Sequence, residues 1–145
     1  MYSIFESAEL GPLVASNRIV RSATWLGLAD PAGGVTDALV ERYAELGRGG
    51  AGVIVTGYAS VSPEGRQMPR MLGAHEDRFV PGLARLAAAI RAQGALAGLQ
   101  LVHAGGQTRA EWIGGRDPVA PSFTPAAQYP EVPRELSSEE IARIV

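Results

Sequence analysis

The chain has 145 residues with 46% apolar and 19% charged side chains, enough for one domain with a buried core, and its net charge of −2 gives no basic footprint for nucleic acid. It has no cysteine, and its two histidines, His75 and His103, stand far apart in sequence; a disulfide framework, a thiolate nucleophile and a metal site are excluded on this pattern. No apolar run approaches the ~20 residues that span a bilayer and no signal-peptide pattern opens the chain, so a cytoplasmic protein with no membrane partner is expected.

Residues 5–16 are short and turn-rich around Leu10-Gly11-Pro12-Leu13, which suits a small hairpin or an irregular N-terminal cover. Residues 19–24 form the first strand candidate, centred on Ile19 and Val20. An exposed loop over 30–35 leads to Thr36, which caps a helix with Leu39, Val40, Tyr43 and Leu46 at helical spacing and Gly47 as its stop. The β-branched run at 52–58 is the second strand. A second loop spans 62–75, with Pro63, Gly65 and Pro69. A helix follows from 78 to 93, with Phe79, Leu83, Leu86 and Ile90 on one face. Residues 96–102 are the third strand.

Strands thus recur every ~35–45 residues with a helix between, long enough for parallel crossovers. Connections from helix to strand are short, whereas those from strand to helix are long and polar. A (β/α)8 barrel has this asymmetry, because its sites are built from loops at the carboxyl ends of the strands. A doubly wound sheet shares the rule, and the pattern favours the barrel. The loop at 103–136, with five prolines and Trp112, is of a length usually functional or disordered. Ser137 and Glu140 then make a capping box that opens a final helix of about two turns. A cap on so short a helix leads us to expect that the chain is the first part of a larger enzyme.

Gly47-Arg48-Gly49-Gly50-Ala51-Gly52 matches G-x-G-x-x-G by letters, but it leaves a helix and enters a strand, the reverse of a dinucleotide fingerprint. It is read as a connector. The third strand carries Gln100 inside an apolar run. A buried unpaired amide costs roughly 1–3 kcal/mol, so a polar partner is expected for it. Ser22-Ala23-Thr24-Trp25 ends the first strand and Thr56-Gly57-Tyr58 the second. Each alone reads equally as a plain strand exit. Three in register on successive strands favour a planar, hydrogen-bonding heterocycle across the mouth. His103 is read either as a structural residue or as part of the site. Arg66 and Arg70 could bind an anion, but solvated side chains are the preferred reading.

Three ordered motifs, Asn17-Arg18-Ile19-Val20-Arg21-Ser22-Ala23-Thr24, Ser62-Pro63-Glu64-Gly65-Arg66 and Gln100-Leu101-Val102-His103-Ala104-Gly105, resemble the old yellow enzyme family of FMN-dependent NAD(P)H:flavin oxidoreductases and ene-reductases. The resemblance runs from about Phe5 to the final helix. It implies an α/β fold, a (β/α)8 TIM barrel of which this chain covers about the first three βα units, as the N-terminal part of one FMN-binding domain over residues 1–145. It further implies FMN as cofactor, NAD(P)H as reductant and a small-molecule electron acceptor. By position, Ala23 and Thr24 would contact the isoalloxazine through their backbone, Tyr58 through its main chain, and Gln100 through its side chain at the pyrimidine edge. Trp25 stands where many members carry a Thr or Cys bonded to flavin O4, and Gly106 where the motif usually continues with Arg. The residues that grip the acceptor and donate the proton come from later strands in the family, so no catalytic residue is assigned here. The rival is a truncated, non-catalytic half-barrel that binds only a complementary segment. In either case the open strand edges lead us to expect a homo-oligomer.

Overall fold

The structure is a computed structural model describing residues 3–144. A hairpin opens it: β1 (Ala8–Leu10) and β2 (Leu13–Ala15) pair antiparallel, with Gly11 at φ 60 in the turn where a side chain would be strained. This is the small N-terminal hairpin expected from the turn residues.

The centre of the fold is a parallel sheet. Its strands are β3 (Val20–Arg21), β4 (Val53–Ser60), β5 (Leu72–Gly73) and β6 (Leu96–Val102). β4 is the middle strand, paired with β3 at Val20↔Val53 and with β6 from Val53↔Leu96 onward. β5 joins the carboxyl end of β4 at Ala59↔Leu72. Two expected boundaries move. The first strand is regular over two residues rather than 19–24, because the chain turns away after Arg21 to form the segment through Trp25. The second runs to Ser60, past a register shift between Thr56 and Ala59, where three steps on β4 oppose two on β6. Such a shift is a β-bulge, which leaves residues out of the ladder and re-aims the strand.

Two helices cover one face of the sheet. α1 (Asp37–Arg48) begins as predicted at Thr36, whose hydroxyl oxygen accepts from the Leu39 N–H at 3.2 Å and donates to the Leu28 carbonyl at 2.6 Å. Gly47 does not stop it. The helix continues to Arg48 and is capped at Gly49, while Gly47 lies where a Cβ would come within 2.7 Å of Gln93, so the glycine permits close approach of the helices. α2 (Val80–Arg91) follows a 3-10 turn at Asp77–Phe79. Leu39 and Tyr43 of α1, Leu86 and Ile90 of α2, and Ile54 of β4 form the core with Ala59, Leu72 and Ala95.

The 103–136 loop is more ordered than expected. It holds a 3-10 turn at Ala110–Ile113 and β7 (Val119–Ala120), which pairs parallel with β8 (Arg134–Glu135). α3 (Ser138–Ile144) closes the described chain with the expected capping box: Ser137 Oγ accepts from the Glu140 N–H at 3.3 Å, and Glu140 Oε2 accepts from the Ser137 N–H at 2.8 Å.

Candidate functional site

Successive parallel strands put the ends of β3, β4 and β6 on one edge of the sheet, which brings three short polar segments side by side. Ser22 to Trp25 follows β3 in an open conformation. Among the described residues, the backbone groups of Ala23, Thr24 and Trp25 make no hydrogen bond. The Thr24 hydroxyl is held by the Arg21 guanidinium, which also donates to the Ser22 carbonyl at 3.0 Å. Arg21 is thus spent on shaping the segment. Trp25 is 43% exposed, and its ring covers Gly27, where φ is 66 and a Cβ would sit 3.2 Å from the indole.

The bulge of β4 sits beside this segment. A Cβ on Gly57 would lie 2.6 Å from the Thr24 carbonyl oxygen and 3.5 Å from the Trp25 Cα, so only glycine lets the two backbones meet. The freed N–H of Gly57 donates to the Tyr43 hydroxyl, reaching up from α1. Tyr43 is 2% exposed, and burial pushes its phenol above the ordinary value, against the opposing pull of the Gly57 N–H. Helical spacing identified Tyr43 as a core position; its role as hydrogen-bond acceptor for the bulge was not legible, because the bulge itself was not.

Tyr58 is half-buried and its hydroxyl contacts Met68 Sδ at 3.9 Å. Burial, then the neighbouring Tyr129 phenol, raise its pKa. Tyr129 comes from the long loop and accepts from Gln67 at 3.3 Å, so that loop reaches toward the strand ends.

Gln100 requires a correction. The apolar run predicts a buried third strand with a polar partner for the amide, and the structure places Gln100 differently. Strand alternation from Gly98, which opposes Val55, puts Gln100 on the face away from the helices, where it is exposed and unbonded among the described residues. Among the described residues nothing covers Gln100 on that face, so there is no burial penalty to offset there.

His103 follows β6. Its Nδ1 accepts from the Gly105 N–H at 3.1 Å, and a Cβ on Gly65 would press within 2.8 Å of the ring. Burial lowers its pKa, against a weaker pull from Glu64. Through Nδ1 the imidazole shapes the turn after the strand, while its Nε2 is buried without a partner, so both readings of His103 stand. Arg66 is half-buried and held in place: Nη1 and Nη2 donate to the carbonyls of Pro31 and Ala32, each at 2.8 Å. Arg70 is exposed, at φ 57. Asn17, noticed only as a motif letter, clips β3 to β4 at the opposite end of the sheet by accepting from the Ile19 and Gly52 N–H groups at 3.0 and 2.9 Å and donating to Gly50 O at 2.7 Å.

The sequence pattern of the NADH:flavin oxidoreductase / NADH oxidase family matches residues 3–145. The chain belongs to this family. It is 48% identical over 103 residues to the 4,4'-dithiodibutanoate disulfide reductase of Rhodococcus erythropolis, covering 71% of this chain and 25% of that protein. It is 41% identical over its whole length to 21% of the metal reductase of Desulforamulus reducens. The old yellow enzyme homologue of Zymomonas mobilis superposes on 98% of this chain at a TM-score of 0.86 and 28% identity, with 42% of that protein covered. The chain therefore spans a fifth to a quarter of the length of these two curated relatives, and its fold is a partial barrel in the old yellow enzyme family.

An FMN ring fits what the chain presents. The Ala23 to Trp25 backbone is unbonded, the Gly57 approach leaves no side chain between the two segments, and the Gln100 amide is free to donate and accept. No group of three or more metal-ligating side chains occurs among the described residues, and no helix there is long and apolar enough to cross a membrane.

Proposed function

We propose that this chain forms one wall of the flavin site of a cytoplasmic FMN-dependent oxidoreductase that passes hydride from NAD(P)H to an electron-poor small-molecule acceptor. The observation that carries the proposal is the juxtaposition of an unbonded Ala23–Trp25 backbone, the bulge at Gly57–Tyr58 and a free Gln100 amide at neighbouring strand ends. FMN, when bound, supplies the hydride-accepting and hydride-donating ring nitrogen. The chain's own residues orient it. Ala23 and Thr24 offer backbone donors and acceptors, the Tyr58 main chain does the same from β4, and Gln100 meets the pyrimidine edge with both halves of its amide. Arg21 and Tyr43 act at one remove, holding the Thr24 hydroxyl and the Gly57 N–H so that both segments keep their shape. At flavin O4 the Trp25 indole has an N–H donor but no hydroxyl or thiol, which gives that carbonyl a different partner from the one usual in the family.

The test is titration of the chain with FMN, followed by amide NMR. Weak binding is expected, with shifts concentrated at Ala23, Thr24, Tyr58 and the Gln100 side chain. Shifts confined to other surfaces, or none at millimolar FMN, would overturn the assignment.

A second reading, in which the chain binds only a complementary polypeptide, is favoured by one observation: Val20 and Leu101 are 57% and 59% exposed on strands with open edges. Both readings call for self-association of the chain through those edges, because exposed ladder groups template pairing. Light scattering at micromolar concentration should show oligomers; a monodisperse 15.2 kDa monomer would count against it.

A further inference from the structure

A cavity of about 350 Å³ lies where the loops after β3, β4, β5 and β6 meet, and none of the flavin-wall residues lines it. Its volume falls in the range of small-ligand sites. Arg66, Arg78, Arg116, His75, Glu76 and Trp112 are on its wall. Three guanidinium charges against one carboxylate leave +2 with His75 neutral, on a chain whose net charge is −2. Arg78 is paired with Glu76 at 2.9 Å, and Arg116 with Glu64, outside the cavity wall, at 3.3 Å. Arg66 differs. Its two bonds go to neutral carbonyls, and no carboxylate pairs with it among the described residues. Its backbone is pinned as well: the fully buried Thr108 hydroxyl donates to the Arg66 carbonyl at 2.7 Å. Arg66 is therefore a fixed positive charge with N–H donors left over. A guanidinium has five, and such a fork suits phosphate oxygens. Trp112, stacked under Arg109 at 5.2 Å, adds a flat apolar surface to the same wall.

We propose that this cavity binds the diphosphate part of a nucleotide, with Arg66 as the anchor, Arg78 and Arg116 as the mobile cations, and the base against Trp112. None of the residues assigned to the flavin wall lies on the wall of this cavity.

Calorimetric titration of the 145-residue chain with adenosine 5′-diphosphate tests the proposal, with inorganic pyrophosphate as the second probe. One saturable site per chain is expected for the nucleotide, weakening as salt screens the cations. Arg78→Ala and Arg116→Ala should each weaken it by roughly tenfold, the size of one lost charge-assisted bond. Both side chains are more than half exposed, so these variants leave the core intact. Gln100→Leu should leave nucleotide binding unchanged, which separates this site from the flavin wall. No saturable heat at millimolar nucleotide overturns the proposal, as does binding indifferent to both arginine variants or lost in Gln100→Leu. Pyrophosphate binding as tightly as the nucleotide overturns the role given to Trp112.

Discussion

The two faces of the central sheet contrast sharply. Toward the helices, Ile54 of β4 meets Leu39 and Tyr43 of α1 and Leu86 and Ile90 of α2, and these side chains are almost wholly buried. On the other face Val20 and Gln100 are exposed, and Val53 and Val55 are only half-buried. Parallel strands elsewhere are covered on both sides. The helix face is finished by contacts between neighbours in sequence, so the chain completes it alone. The inner face would be finished by elements from around a closed barrel, and these four strands with their two helices cannot supply them.

If the helix face carries the stability, Ile90→Ala should cost about 2–5 kcal/mol in urea unfolding, the range for emptying a core site, while Val20→Ala should cost under about 1 kcal/mol. Equal losses would erase the contrast. Tyr43→Phe probes the link between the faces. It removes the acceptor of the Gly57 N–H, and the expected cost is about 1–3 kcal/mol with new exchange of that amide. An unchanged Gly57 exchange rate would show that the bulge needs no support from α1. Gln100→Leu sharpens the comparison from the open side. Stability of the chain should change by less than about 0.5 kcal/mol, because the amide is exposed and unbonded. Flavin affinity should fall by roughly tenfold, the equivalent of one polar edge left unpaired, read by fluorescence titration.

The smallest effect lies at α3. The Arg134 guanidinium, bonded to Glu140 at 2.8 and 3.0 Å, and the Ser137 N–H hold the Glu140 carboxyl well below the usual range, at about 2. A depressed carboxylate contributes stability that is present above its unfolded value and lost as pH falls through the folded one. The start of α3 should therefore stay ordered at pH 4 and fray as pH drops toward 2, with the core unaffected. Amide shifts of residues 137–141 report it, and fraying already at pH 5 would contradict the ion pair's role.

Much of this was legible in advance where interactions are local. Thr36 as a cap, the Ser137–Glu140 box, and the helical spacing of Leu39, Tyr43, Leu86 and Ile90 all depend on neighbours within one or two turns. Local backbone geometry leaves those patterns few alternatives. The site was half legible. Its three segments could be placed at strand ends by counting strands, and a family resemblance could attach roles to them. The exposure of Gln100 was not legible because a strand's apolar letters do not say whether both of its faces are covered.

By itself, then, the sequence determined the helices, the caps at Thr36 and Ser137, the three main parallel strands and the family, since periodicity and motif letters are properties of contiguous residues. Only the tertiary structure decided that β4 bulges at Gly57, that Tyr43 answers the bulge from α1, that Arg66 is clamped by Pro31 and Ala32, and which sheet face is bare. Each of these joins residues 14 to 35 positions apart or depends on what is packed behind a strand. Such contacts are set by how layers stack and leave no periodic trace in the chain.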